Sequence, residues 1–148
     1  MNINQLEQSI NQFHVVMMHI NKEIDDMVKE TGLDDVLSRE QIEALRMIQA
    51  NGSMTVGELA TQQNIFKTAA SKRINKLQDK GYVAQAPSDN KRIKLITLTD
   101  EGEKLISVVT SKIANALKSR LNNEFSEQEL IDFVNQLDKL EQVLSRHH

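Results

Sequence analysis

The chain has 148 residues, no cysteine, one proline, 3% aromatic residues and a formal net charge of −3. Disulfides, thiolate metal sites and thiol redox chemistry are therefore excluded, and the core has to be built from Leu, Ile, Val, Met and Ala. Scarce proline and glycine favour a mainly helical protein, and apolar runs as short as Val15–Met18 exclude a membrane-spanning helix. No charged-then-apolar leader is read at the start, so the expected location is cytoplasmic. His147 and His148 are left out of the reading, since two terminal histidines can be native or a tag remnant.

In chain order, Ile3, Leu6, Ile10, Phe13, Met17, Ile20, Ile24, Met27 and Val28 recur at steps of three and four. They predict a long amphipathic helix ended by Thr31-Gly32. Ser38-Arg39-Glu40-Gln41 reads as a capping box opening a second helix, which carries Ile42, Leu45 and Ile48 and stops at Asn51-Gly52. Thr55-Val56-Gly57-Glu58 reads as another, opening a short third helix with Val56, Leu59 and Ala60 inward. Asn64 suits a left-handed turn. A fourth helix then runs from about Phe66 to Lys80, with Ala70, Ile74 and Leu77 inward.

Beyond Gly81 the period changes. Tyr82–Gln85 and Ile93–Leu98 read as the two strands of a hairpin around Pro87-Ser88-Asp89-Asn90-Lys91. Thr99 caps a fifth helix with an apolar stripe through Leu105, Val108 or Val109, Ile113, Ala116, Leu117 and Leu121. Ser126-Glu127-Gln128-Glu129 opens a sixth, with Leu130, Phe133, Val134, Leu137, Leu140 and Leu144 on one side. The expected fold is mainly α with a small β-hairpin. A winged helix-turn-helix at residues 38–98 is flanked by helical parts at 1–30 and 99–146.

The net charge conceals a split. Between Thr55 and Thr97 stand eight cations (Lys67, Lys72, Arg73, Lys76, Lys80, Lys91, Arg92 and Lys94) against three anions (Glu58, Asp79 and Asp89). A basic segment within an acidic chain points to a polyanionic partner. Double-stranded DNA fits, because the fourth helix has one apolar face to anchor it and another that is short, polar and cationic. Lys67, Thr68, Ser71, Lys72, Asn75 and Lys76 are the candidate contacts on that helix, with Lys72 foremost, and Lys91 and Arg92 are those at the hairpin tip. Arg73 ranks beside Lys76, and Ser53 and Thr55 are candidates for phosphate hydrogen bonds.

Catalytic, cofactor and metal sites are not expected. Gly52–Gly57 has the glycine spacing of a phosphate loop, but Glu58 stands where lysine is required. His14 and His19 are five apart, which places them on different faces of a helix, unlike a zinc-binding pair.

Leu59-Ala60, the turn at Asn64, Leu77-Gln78-Asp79-Lys80-Gly81-Tyr82-Val83, the wing run Asp89-Asn90-Lys91-Arg92 and Leu98-Thr99-Asp100-Glu101-Gly102 together resemble the MarR family of bacterial transcriptional regulators. The resemblance implies a homodimer built from the first, fifth and sixth helices. It also implies a palindromic operator bound by the fourth helix and wing, a repressor's role and release by a small-molecule effector, whose binding residues stay unassigned. Two departures from the family pattern stand out. Asn90 and Ala86 occupy wing positions where aspartates are frequent, with Asp89 adjacent, so an ion pair orienting Arg92 is missing or rerouted. Phe66 occupies the place of a capping hydroxyl.

Overall fold

The computed structural model describes residues 1–90 and 92–146. The chain divides into two compact units, Met1–Ser111 and Lys112–His148.

The first unit begins with α1 (Ile3–Glu30), opened by Asn2, whose side chain accepts the Gln5 N–H while the Gln5 side chain reaches back. Its C-cap is Thr31, and Gly32 takes the left-handed φ of 76° that a β-carbon disfavours. A single 3-10 turn, Leu33–Asp35, leads to Leu37, which is fully buried. The helix α2 (Arg39–Asn51) starts at Ser38 with a complete capping box to Gln41. The helix-turn-helix proper is α3 (Val56–Gln63) and α4 (Lys67–Asp79), and Asn64 supplies the left-handed link at φ 54° and ψ 50°. At Thr55 the hydroxyl accepts the Glu58 N–H, but the Glu58 carboxylate returns to that same hydroxyl. The cap is thus one-sided, and the box expected there is incomplete.

One strand beyond the expected hairpin is present. The strand β1 (Met54–Thr55) pairs antiparallel with β3 (Leu95–Leu98), which in turn pairs with β2 (Val83–Ala86), giving the order β1-β3-β2. Met54 lies opposite Ile96 and Val83 opposite Leu98. Two residues are too few to show a period of two, so the sequence does not announce β1. Its pairing, with the Thr97 hydroxyl donating to the Gly52 carbonyl at 2.9 Å, fixes the base of the wing against the start of α3.

The core under these elements is aliphatic, with Met27 and Met54 among its members. Leu37, Ile42, Leu45, Ile48, Met54, Leu59, Leu77, Val83, Ile106 and Val109 are nearly inaccessible. Each fully buried aliphatic side chain of this kind contributes about 1.5–3 kcal/mol. The buried face of α5 (Asp100–Leu121) meets the expected stripe at Val109, the second of the two valines offered, and departs from it at Leu105. Within the first unit it runs through Gly102, Ile106 and Val109, while Leu105 is half-buried and Val108 exposed. Threonine at the cap and glycine in the first turn set that rotation. Thr99 Oγ1 donates to the Gly81 carbonyl at 2.6 Å and accepts the Gly102 N–H at 3.1 Å, and Thr99 N–H donates to the Tyr82 carbonyl. A β-carbon at position 102 would lie 2.1 Å from the Tyr82 carbonyl oxygen. The Leu-Thr-x-x-Gly run is therefore a docking joint between the start of α5 and the turn behind α4.

The second unit contains the remainder of α5 and α6 (Glu127–Ser145), which begins with a full capping box at Ser126. The apolar side of α6 is uncovered: Phe133, Val134, Leu137, Leu140 and Leu144 are all exposed. The same holds for Ile3, Leu6, Ile10, Phe13 and Met17 on α1, whose buried residues are Met27 and Val28 at its far end.

Candidate nucleic-acid interface

The helix α4 is anchored by Ala70, Ile74 and Leu77, each buried, on the face that the helical period predicts. Lys67, Thr68, Lys72, Asn75 and Lys76 are exposed and Ser71 is half-buried. Anchor and polar face are therefore opposite sides of one element, as a helix that enters a groove requires.

Two hollows flank this face. The first, about 500 Å³, is lined by Thr55, Val56 and Gly57 from the start of α3, by Lys67 and Ser71 from α4, and by Arg92, Ile93 and Lys94 from the wing. It brings together four of the candidate contacts: Thr55, Lys67, Ser71 and Arg92. It also adds Lys94, which by sequence alone counts only as a charge. The second, about 230 Å³, lies between the start of α2 and the middle of α4, lined by Ser38, Gln41, Ala69, Lys72, Arg73 and Lys76. Lys72 and Lys76 are exposed there near the first turn of α2, the end of a helix that carries partial positive charge, an arrangement that attracts an anion. By sequence Ser38 and Gln41 are only a cap, and nothing local signals that α4 passes over them. Thr68 and Asn75 stand on the exposed face outside both groups. Lys91 lies outside the described residues.

Not every cation of the basic segment faces outward. Arg73 Nη1 donates to Gln63 Oε1 at 2.5 Å, and Gln63 Nε2 donates to the Glu40 carbonyl at 3.1 Å. This chain of bonds ties α4, the end of α3 and the start of α2 together. Lys80 Nζ donates to the Val36 carbonyl. These two cations serve the fold, which separates Arg73 from its neighbour Lys72.

The wing tip is ordered by small polar groups. Ser88 Oγ donates to the Asn90 carbonyl at 3.1 Å and accepts the Asn90 N–H at 3.3 Å. Asn90 Oδ1 accepts the Arg92 N–H at 3.0 Å, and Ile93 N–H donates to the Asn90 carbonyl. The amide of Asn90 thus does for the backbone of Arg92 what an acidic side chain could do.

At the other end of α4 the expected departure holds. Phe66 is the N-cap, makes no side-chain cap bond and is 86% exposed. A serine or aspartate cap would be worth about 1 kcal/mol more to the helix.

The helix α1 is tied to α2 beside this apparatus. Arg39 donates to the Asn21 carbonyl at 3.0 Å, to Asn21 Oδ1 at 2.9 Å and to Asp25 Oδ1 at 2.9 Å. No helix of the described residues is long and apolar enough to cross a membrane.

Comparison with known proteins agrees with this architecture. A MarR family model matches residues 37–92, the span from Leu37 to the wing tip. The HTH-type transcriptional regulator YdgG of Bacillus subtilis is 36% identical over 131 residues, covering 83% of this chain and 82% of that protein. Among solved structures, a MarR family protein from Bacillus stearothermophilus superposes with a TM-score of 0.82 at 21% identity, covering 98% of this chain and 99% of that one. A mutant MarR from E. coli, solved in complex with operator DNA, superposes with a TM-score of 0.65 at 20% identity, covering 89% of this chain and 95% of that one. With the winged helix-turn-helix, the basic hollows and a relative matched over most of both lengths, the chain belongs to the MarR family of DNA-binding transcriptional regulators.

Proposed function

We propose that this protein is a repressor that binds a palindromic operator as a homodimer through α4 and the wing. The observation that carries the reading is the single cleft that unites Lys67 and Ser71 of α4 with Arg92 and Lys94 of the wing. A major-groove helix and a minor-groove arm set side by side can hold adjacent grooves of one duplex face. Lys67, Lys72, Lys76, Lys91 and Arg92 are assigned to the phosphates and groove edges, and Thr68, Ser71 and Asn75 to base contacts. The homodimer is supported by the uncovered stripes of α1 and α6, since apolar faces of that length are exposed at a cost unless a partner covers them. Two-fold symmetry in the protein then asks for two-fold symmetry in the operator. Release by a small effector is part of the same proposal and requires that the ligand favour one of two dimer shapes.

The test is selection of bound duplexes from a random pool, followed by titration of the recovered site at rising salt. The expected result is an inverted repeat whose affinity falls steeply with salt. A recovered pool without an inverted repeat, or salt-independent binding, overturns the proposal. Light scattering at micromolar concentration should give the mass of a dimer, and a monomer would refute that part.

A further inference from the structure

Phe66 is a poor choice for its position on every internal ground. It stands at the N-cap of α4, where Ser, Thr, Asp or Asn would satisfy a free N–H, and it forms no such bond. Its phenyl ring is 86% exposed, so the fold gains almost no burial from it. Yet the residue is held firmly in place. Its carbonyl accepts the Ala70 N–H at 3.1 Å, the Ile65 N–H before it donates to the Ala60 carbonyl at 3.0 Å, and Lys67 after it lines the basic cleft. An apolar ring is thus presented at the leading end of the helix whose next residue joins the wing cations.

On the DNA-binding reading, which this inference extends, the first residues of such a helix are those that reach base edges. The major-groove edge of a base pair carries one apolar group, the C5-methyl of thymine, and a phenyl ring is among the side chains that contact it. We infer that Phe66 is a specificity-determining residue that reads a thymine methyl at one position in each half-site. The ring gains there the burial that it lacks in the free protein. Cytosine and uracil at the same place leave it facing water or a polar edge.

The experiment uses the full-length protein and the selected operator. Each thymine is replaced singly by deoxyuridine, which removes the methyl and leaves every hydrogen-bonding group unchanged. The parent protein should lose affinity at one thymine per half-site, by about fourfold for one methyl no longer buried. Phe66→Ser should bind with a helix start at least as well capped and show no difference between thymine and deoxyuridine at that position. Phe66→Leu, which keeps an apolar side chain, should retain part of the discrimination. Circular dichroism of both variants should match the parent, and Phe66→Ser should melt no lower than the parent, as expected for a residue outside the core whose replacement can cap the helix. If deoxyuridine is tolerated at every position by a parent protein that still binds tightly, the inference is overturned while DNA binding stands. It is overturned equally if Phe66→Ser discriminates as the parent does, and the ring then serves another partner. Absence of any duplex binding would instead overturn the reading beneath it.

Discussion

Asn90 Oδ1 accepts the backbone N–H of Arg92 at 3.0 Å, which orders the wing tip three residues before the return strand begins at Leu95. One hydrogen bond of this type is worth about 0.5–1.5 kcal/mol. Asn90→Ala should therefore weaken operator binding a few-fold by loosening Arg92, whereas Asn90→Asp should keep the acceptor and most of the wing order. Fluorescence anisotropy with a labelled operator measures both, and an Ala variant that binds like the parent would show that Asn90 does not position Arg92.

Lys72 and Arg73 are adjacent but should respond differently. Lys72 is exposed in the hollow beside α2, while Arg73 is bonded to Gln63. Lys72→Ala should weaken binding and lower the salt slope by about one, the signature of a lost phosphate contact. Arg73→Ala should lower the melting temperature and change the salt slope less. The reverse pattern would exchange their roles.

Arg92→Ala should reduce affinity while leaving helix content unchanged, because its side chain lines the cleft from an exposed turn. Circular dichroism beside the binding curve separates loss of contact from loss of fold. Equal affinity in variant and parent would remove the wing from the proposed docking geometry.

Gly102→Ala should destabilise the protein by about 1–3 kcal/mol, the usual cost of forcing a group into a packed joint. The added carbon would meet the Tyr82 carbonyl oxygen at 2.1 Å, and that oxygen belongs to the backbone and cannot swing aside. Chemical denaturation measures the loss, and a parent-like midpoint would show that α5 moves freely.

Arg39→Ala should leave global stability nearly unchanged, since the pair with Asp25 is partly exposed and such pairs contribute about 0.2–1 kcal/mol. Its effect should be local. Amide exchange around Asn21 and Asp25 should accelerate as α1 loses its three bonds to Arg39. Unchanged exchange there would mean that Met27 and Val28 alone hold the helix.

Much of the fold is legible from the residues because the signals are local. Ser38 and Ser126 open helices by capping their own third residues, and Asn64 turns the chain by its own backbone preference. What the residues do not reveal is set by partners distant in sequence. The strand β1 exists because Ile96 lies opposite Met54, and the rotation of α5 depends on the Tyr82 carbonyl. At the interface, the outward face of α4 follows from its period. The cleft with Lys94 and the hollow at Ser38 do not, because each is assembled from three or two elements separated along the chain. Phe66 is visible in the sequence as an oddity, and only its exposure gives that oddity a direction.

The joint at Gly102 carries a lesson for anyone who ranks positions by how rarely they vary. Wherever relatives keep the Tyr82 carbonyl against the first turn of α5, no residue larger than glycine fits without a shift of backbone. Invariance at that place would record a steric limit and say nothing about recognition. Phe66, which the fold does not constrain, is free to change whenever the operator does. The least variable residue of the motif and the residue that tells one regulator's targets from another's would then lie at opposite extremes of the same alignment.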